Sequence, residues 1–170
     1  MTDKKTPDTI SEAKAAEAAK VRQEEHNRKM WVPFPLAGDD VFLSYGLRSL
    51  AQIEEVSKAL MPDYREQGYT PFGVIERFLL DGHPGAIRAV LDAGLKRKGE
   101  PLPRGGFKAI PAADIDLDDD LPWSIADIVE PALNAICYSW FRQTYSEKLA
   151  EVTAALEALN RAGDDEGEAA

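Results

Sequence analysis

"FLSYGLRSLAQIEEVSKALM", residues 42–61, changes period partway along. Phe42-Leu43-Ser44-Tyr45 reads as extended chain. Beyond Gly46, residues Leu47, Leu50, Ile53, Leu60 and Met61 fall within one wide face at about 100° per residue, with Val56 at its edge. Arg48, Glu54, Glu55 and Lys58 take much of the remainder. The switch predicts a strand ending near Tyr45 and an amphipathic helix from about Leu47. Met61-Pro62 ends that helix, because a residue before proline avoids the helical region. No side chain here suggests catalysis.

Working upstream, "WVPFPL" sets Val32, Phe34 and Leu36 on one side at period two. Pro33 and Pro35 cannot donate to a ladder, which suits an edge strand. "AGDD" has turn chemistry. The prediction is a β-hairpin pairing Val32–Leu36 with Val41–Tyr45. Residues 1–30 are rich in Ala, Lys and Glu and have good helix propensity, with Ser11 as a cap, but no wide apolar face. They are expected to form a charged extension, flexible or a solvated helix, outside the core.

Downstream, "GYTPFGVIERFLLDG" is punctuated as a helix by Thr70 as cap and Pro71 at the first helical position. Val74, Ile75, Phe78 and Leu79 form its inward face, and Gly82 ends it. "HPGAIRAVLDAGLKRKG" predicts a third helix, with Ile87, Val90, Leu91 and Leu95 inward. Lys96, Arg97 and Lys98 then suit the negative end of its dipole. Residues 99–122, with four prolines and three glycines, are expected to lack regular structure. "WSIADIVEPALNAICYSWFRQ" returns to helix behind a Ser124–Asp127 capping box. Ile125, Ile128, Val129, Leu133 and Ile136 are its expected core set, and Pro131 marks a kink or a restart. Helical pattern continues to about Asn160, and residues 163–170 read as a disordered acidic tail. The fold expected is mainly α: a small helical domain over residues 31–162 with an N-terminal β-hairpin and a long C-terminal helix.

The net charge of −10 is uneven. Residues 1–30 carry seven Lys/Arg and six Asp/Glu, residues 31–110 carry ten of each, and residues 111–170 carry three against fourteen. An acidic C-terminal third argues against broad nucleic-acid backbone binding, which needs a cationic surface. Cys137 is the only cysteine, so no intrachain disulfide is possible. No apolar run reaches the roughly 18 residues of a membrane span. The N-terminus has no hydrophobic signal core. The expected location is the cytoplasm, away from any membrane.

"DIDLDDD", residues 114–120, places Asp114, Asp116 and Asp118 as the ligands that open an EF-hand loop. That loop needs glycine sixth and a bidentate glutamate twelfth. Asp119 and Ile125 stand there, so no metal site is expected. His26 and His83 are the only histidines, and neither has a nucleophile and orienting partner in sequence context. Cys137 lies on an apolar helix face, where cysteine packs as a small hydrophobe. "PRGG" with Lys96, Arg97, Lys98 and Lys108 lacks the strand–loop–helix context of a phosphate loop. No enzyme and no cofactor is expected.

Tyr138, Phe141, Tyr145, Leu149, Val152, Leu156 and Leu159 recur at spacings of 3, 4, 4, 3, 4 and 3, a coiled-coil-like period. Two readings stand: a terminal helix packed on its own core, or a seam for a partner helix or a second copy of the chain.

The order of these elements resembles the small tail assembly chaperones of long-tailed phages and gene transfer agents. In that family a hairpin ending in an L-x-L-T/S-x-G stretch leads into a helix of the L-x-x-L-x-x-I/L-E kind, and "FLSYGLRSLAQIEE" occupies that place. "AVLDAGLKRKG" is similar to the family's leucine-rich helix with an Ala-Gly-Leu step. The likeness covers about residues 31 to 140. The charged extension, the Asp-rich loop and the long C-terminal helix depart from the pattern. The resemblance implies a non-enzymatic factor in the host cell cytoplasm. It would bind the long, helical tape measure protein, with the tail tube protein as a further partner, and keep it soluble during tail assembly. Two other classes compete: a structural or connector protein of the particle, and a small acidic adaptor that binds a basic partner through residues 111–170.

Overall fold

A computed structural model of the chain describes residues 7–114 and 124–168. Along the chain run α1 (Pro7–Met30), β1 (Val32–Pro33), a 3-10 turn (Pro35–Ala37), β2 (Val41–Leu43), α2 (Leu47–Leu60), α3 (Pro71–Leu80) and α4 (Pro84–Gly94). They are followed by β3 (Leu95–Pro101), β4 (Phe107–Ala109), a second 3-10 turn (Ala112–Asp114), α5 (Ile125–Phe141) and α6 (Tyr145–Glu168). The fold is mainly α, as expected: six α-helices and one small antiparallel sheet among the described residues.

The strand-to-helix switch stands where the sequence places it. Val32 and Pro33 pair with Leu43 and Phe42, and the Phe34 N–H donates to the Val41 carbonyl at 3.0 Å. The hairpin is shorter than expected, because the chain turns at Pro35–Ala37 rather than continuing to Leu36 as a strand. Helix α2 buries Ser49, Ile53 and Ser57, with Leu50, Val56 and Leu60 partly covered. The buried stripe is thus rotated from the expected face. Leu47, expected inward, is 87% exposed at the first helical position. Ile125, at the same position of α5, is also largely exposed. The Ser57 hydroxyl lies 2.9 Å from the Ile53 carbonyl and 3.0 Å from the Pro71 carbonyl, which ties α2 to the start of α3.

The sheet is larger than a hairpin. β2 pairs on its other side with β3 (Val41 with Arg97, Leu43 with Leu95), and β3 pairs with β4 across a bulge between Arg97 and Pro101. The strand order is β1-β2-β3-β4, all antiparallel. Two expectations are corrected here. Leu95–Lys98 are not the last turn of α4, and part of 99–122 is regular strand. The reason is tertiary. Val41, Phe42 and Leu43 are all buried, so β2 needs a strand on each side to satisfy its backbone. Gly105 and Gly106, at φ of 84° and 87°, make the left-handed turn that folds β4 back on β3.

One core joins the sheet to the helices. It includes Phe34, Leu43, Tyr45, Ile53, Phe72, Ile75, Leu79, Val90, Leu91, Leu95, Leu133 and Ile136. Helix α5 runs unbroken through Pro131. Its expected members Ile128, Val129, Leu133 and Ile136 are buried. Asp127 Oδ2 accepts from the Ser124 N–H at 2.6 Å, the return bond of the capping box, and also from the Ser124 hydroxyl at 3.0 Å. Helix α6 continues to Glu168, so the backbone stays helical beyond Asn160 and through the start of the expected disordered tail.

Candidate partner-binding surface

Helix α6 begins afresh rather than continuing α5. Arg142 adopts a left-handed conformation (φ 57°) and ends α5. Thr144 then opens a reciprocal cap: its N–H donates to Glu147 Oε2 at 2.7 Å, and the Glu147 N–H donates to Thr144 Oγ1 at 3.2 Å. This is the capping box of Thr144-x-x-Glu147. It is legible in "TYSE", residues 144–147, and the stripe runs across the break that it marks. The seven residues therefore do not form one seam. Tyr138 and Phe141 belong to α5, and the other five to α6.

Their environments differ accordingly. Tyr138 is only 7% exposed, and its hydroxyl lies 2.9 Å from His26 Nδ1 on α1. It is an anchor for the N-terminal helix, not a free surface. Tyr145 is half-buried beside Phe72, and burial, followed by a hydrogen bond to Glu76, pushes its phenol up to about 12. Lys148 stands over the Phe72 and Phe141 rings at 4.4 and 4.5 Å. These contacts fasten the first turn of α6. Beyond them Leu149, Val152, Leu156 and Leu159 are 47 to 68% exposed. Their 3-4-3 spacing on one uninterrupted helix is a real apolar stripe.

Phe141 faces a second apolar feature. It is 47% exposed and lines a groove of about 400 Å³ with Leu47, Leu50, Pro71, Phe72 and Trp140. The period of α2 places Leu47 on the buried face and the core set of α5 leaves Trp140 out, so the sequence brings neither to this groove.

Helix α1 docks by its last turns. His26 meets Tyr138, and Lys29 Nζ binds Glu147 Oε1 at 2.9 Å and Glu25 Oε1 at 3.1 Å. Arg142 Nη1 lies 3.2 Å from Met30 Sδ. Lys29 is raised above the ordinary lysine range, chiefly by its hydrogen bond to Glu147, and Glu147 is lowered, chiefly by Lys29. The preceding residues of α1, from Ile10 to Glu25, are exposed.

The residues weighed for chemistry take structural places. His83 Nδ1 accepts from the Ala86 N–H at 3.1 Å and caps α4. Cys137 is buried, and that burial pushes its thiol up, opposite to the direction of an activated nucleophile. Lys96, Arg97, Lys98 and Lys108 lie on β3 and β4, where Arg97 pairs with Asp40 at 3.2 Å and burial lowers Lys96. Asp114 ends the second 3-10 turn, while Asp116 and Asp118–Asp120 lie outside the described residues. Among the described residues no group of three or more His, Cys, Asp or Glu is placed to hold a metal, and no helix is long and apolar enough to cross a membrane.

Comparison of the chain with protein-family models, with curated proteins and with solved structures gave no match. What the surface can do is therefore read from its own geometry. An exposed apolar stripe on a firmly rooted helix is suited to holding another helix.

Proposed function

We propose that this chain is a non-enzymatic assembly factor of the tail assembly chaperone kind, and that α6 holds the apolar stripe of a long helical partner, the tape measure protein. The observation that carries the reading is the line of Leu149, Val152, Leu156 and Leu159, all about half exposed or more on one helix. A long helical protein awaiting assembly exposes apolar stripes that aggregate. A chaperone that covers such a stripe with its own, while carrying fourteen carboxylates against three cations in residues 111–170, keeps the complex soluble by charge. The order of hairpin, α2, α3 and α4 supports the same reading through the family resemblance, with the strand-to-helix switch as scaffold.

The test is co-expression with a candidate tape measure protein. Leu149→Asp with Leu156→Asp puts two charges on the stripe. The expected result is loss of the soluble complex with a melting temperature little changed, since exposed substitutions usually stay within about 0.5 kcal/mol. A well-folded variant that still holds the partner overturns α6 as the surface. The charge of residues 111–170 favours one other reading, an adaptor for a basic protein. That reading predicts binding lost in high salt and kept in the Leu149→Asp, Leu156→Asp variant.

A further inference from the structure

We infer that the last turn of α1 is a releasable clamp on the α5–α6 elbow, so that docking of α1 and the direction in which α6 leaves the core form one linked equilibrium. The clamp would regulate how the stripe of α6 is presented. That use rests on the proposed function, but the geometry needs no partner. The elbow is three residues long, Arg142, Gln143 and Thr144, between the end of α5 and the start of α6. Arg142 is the one non-glycine residue with a positive φ among the described residues. A residue with a Cβ is uncommon there and is held by its surroundings. Here α1 supplies the hold. Arg142 Nη1 lies 3.2 Å from Met30 Sδ, and the guanidinium stands 6.0 Å from the centre of the Tyr138 ring, whose hydroxyl is 2.9 Å from His26 Nδ1.

Glu147 makes the link. Its Oε2 accepts from the Thr144 N–H at 2.7 Å and so starts α6, while its Oε1 accepts from Lys29 Nζ of α1 at 2.9 Å. One carboxylate thus serves both elements, and whatever frees α1 loosens the first turn of α6. Linkage makes the reverse equally true. The opposite side of that turn is held by α3. Tyr145 lies beside Phe72 and against Glu76, and Lys148 stands over the Phe72 ring. Tyr145 and Glu147 are about 200° apart around the helix, so α6 starts between two supports. Loss of the α1 support leaves the helix attached through α3 and free to swing about it. The clamp is weak enough to open. The Lys29 and Glu147 side chains are 24% and 45% exposed, where an ion pair is screened and contributes little. Lys29 also pairs with Glu25 of its own helix, so it can release Glu147 without losing every carboxylate.

Two readouts on the full chain test this, and neither needs a partner. Amide exchange in the first turn of α6 should quicken about two- to fivefold in Lys29→Met, the range of an exposed ion pair, and return to the parent rate in Lys29→Arg, which keeps the charge. Reciprocally, Thr144→Ala, which touches the cap alone, should quicken exchange in residues 27–30 by a similar factor. For direction, spin labels are placed at Arg88→Cys on α4 and Thr153→Cys on α6. Both positions are exposed, while Cys137 is buried and stays unlabelled. Their distance distribution should be narrow in the parent background and broaden in His26→Ala with Lys29→Met. Lys14→Met, on the exposed length of α1, should change neither readout. Where the double variant loses protection in α2 as well, Lys29→Met carries the distance measurement alone. Unchanged exchange in both Lys29→Met and Thr144→Ala removes the link, and an unchanged distance distribution shows that α3 alone directs α6. Either result overturns the clamp. A chain that captures its helical partner but shows no link sinks this inference and leaves the proposed function standing. A chain with a working clamp that captures none does the reverse.

Discussion

Tyr45 lays its ring on Gly94, and the junction between β2 and the end of α4 depends on that fit. The Tyr45 hydroxyl donates to the Val90 carbonyl at 3.0 Å, and the Ser44 N–H donates to the Gly94 carbonyl at 2.9 Å. A Cβ at Gly94 would fall far inside contact distance of the Tyr45 ring. Gly94→Ala should therefore destabilise by about 1 to 3 kcal/mol through overpacking, measured by chemical denaturation. Tyr45→Phe should cost less, about 1 kcal/mol for one hydrogen bond. A Gly94→Ala variant as stable as the parent would show that the ring moves aside freely. The "DAGLKRK" stretch displays this glycine, but its necessity lies in a contact with a residue forty-nine positions earlier. Local pattern cannot show such a contact. The same limit hid the anchoring of His26 by Tyr138, which turns a residue read as seam into a clamp for α1.

Helices α2 to α5 were legible because most of their ends, the C-terminal end of α4 excepted, are written in short-range chemistry. Thr70 Oγ1 does accept from the Gly73 N–H, at 3.1 Å, and Pro71 does open α3. Strands β3 and β4 were not legible from their own residues, since Leu95–Pro101 is mostly polar and continues a helical pattern. Two clues pointed to them: the unbroken apolar run Val41-Phe42-Leu43, which implies a strand flanked on both sides, and Gly105-Gly106, a hairpin turn. The exposed half of the candidate stripe was legible as a period, whereas the break before it lay in Thr144 and Glu147. That cap also makes α6 sensitive to acid. Glu147 is lowered in the folded chain, so its contribution is complete above the ordinary carboxylate value of 4.5 and is lost as pH falls through its lowered value. Amides in the first turn of α6 should lose exchange protection below pH 4.5 in the parent and show a weaker pH response in Glu147→Gln. An identical acid response in both chains would remove Glu147 as the cause.

At the scale of the molecule, the buried residues among those described run from Phe34 to Tyr138, while α1 and α6 extend from this core with residues 10–25 and 149–161 exposed. Both long helices are held at one end: α1 by His26, Lys29 and Met30, and α6 by Tyr145, Glu147 and Lys148. An isolated amphipathic helix gains little from propensity alone and needs a packed face to persist. The arms should therefore add function more than stability. A fragment of residues 26–148 keeps every side chain that is buried among the described residues, and all of these root contacts. It should unfold cooperatively, with a melting temperature within about 5 °C of the full chain. The comparison belongs at low protein concentration, because any self-association would raise the melting temperature of the full chain as concentration increases. That difference separates the two contributions. If the full chain gains on the fragment only as concentration rises, α6 stabilises by association. If the gap is large and constant, the exposed length of α1 or α6 packs on its own domain, and the stripe from Leu149 to Leu159 belongs to the core instead of a partner.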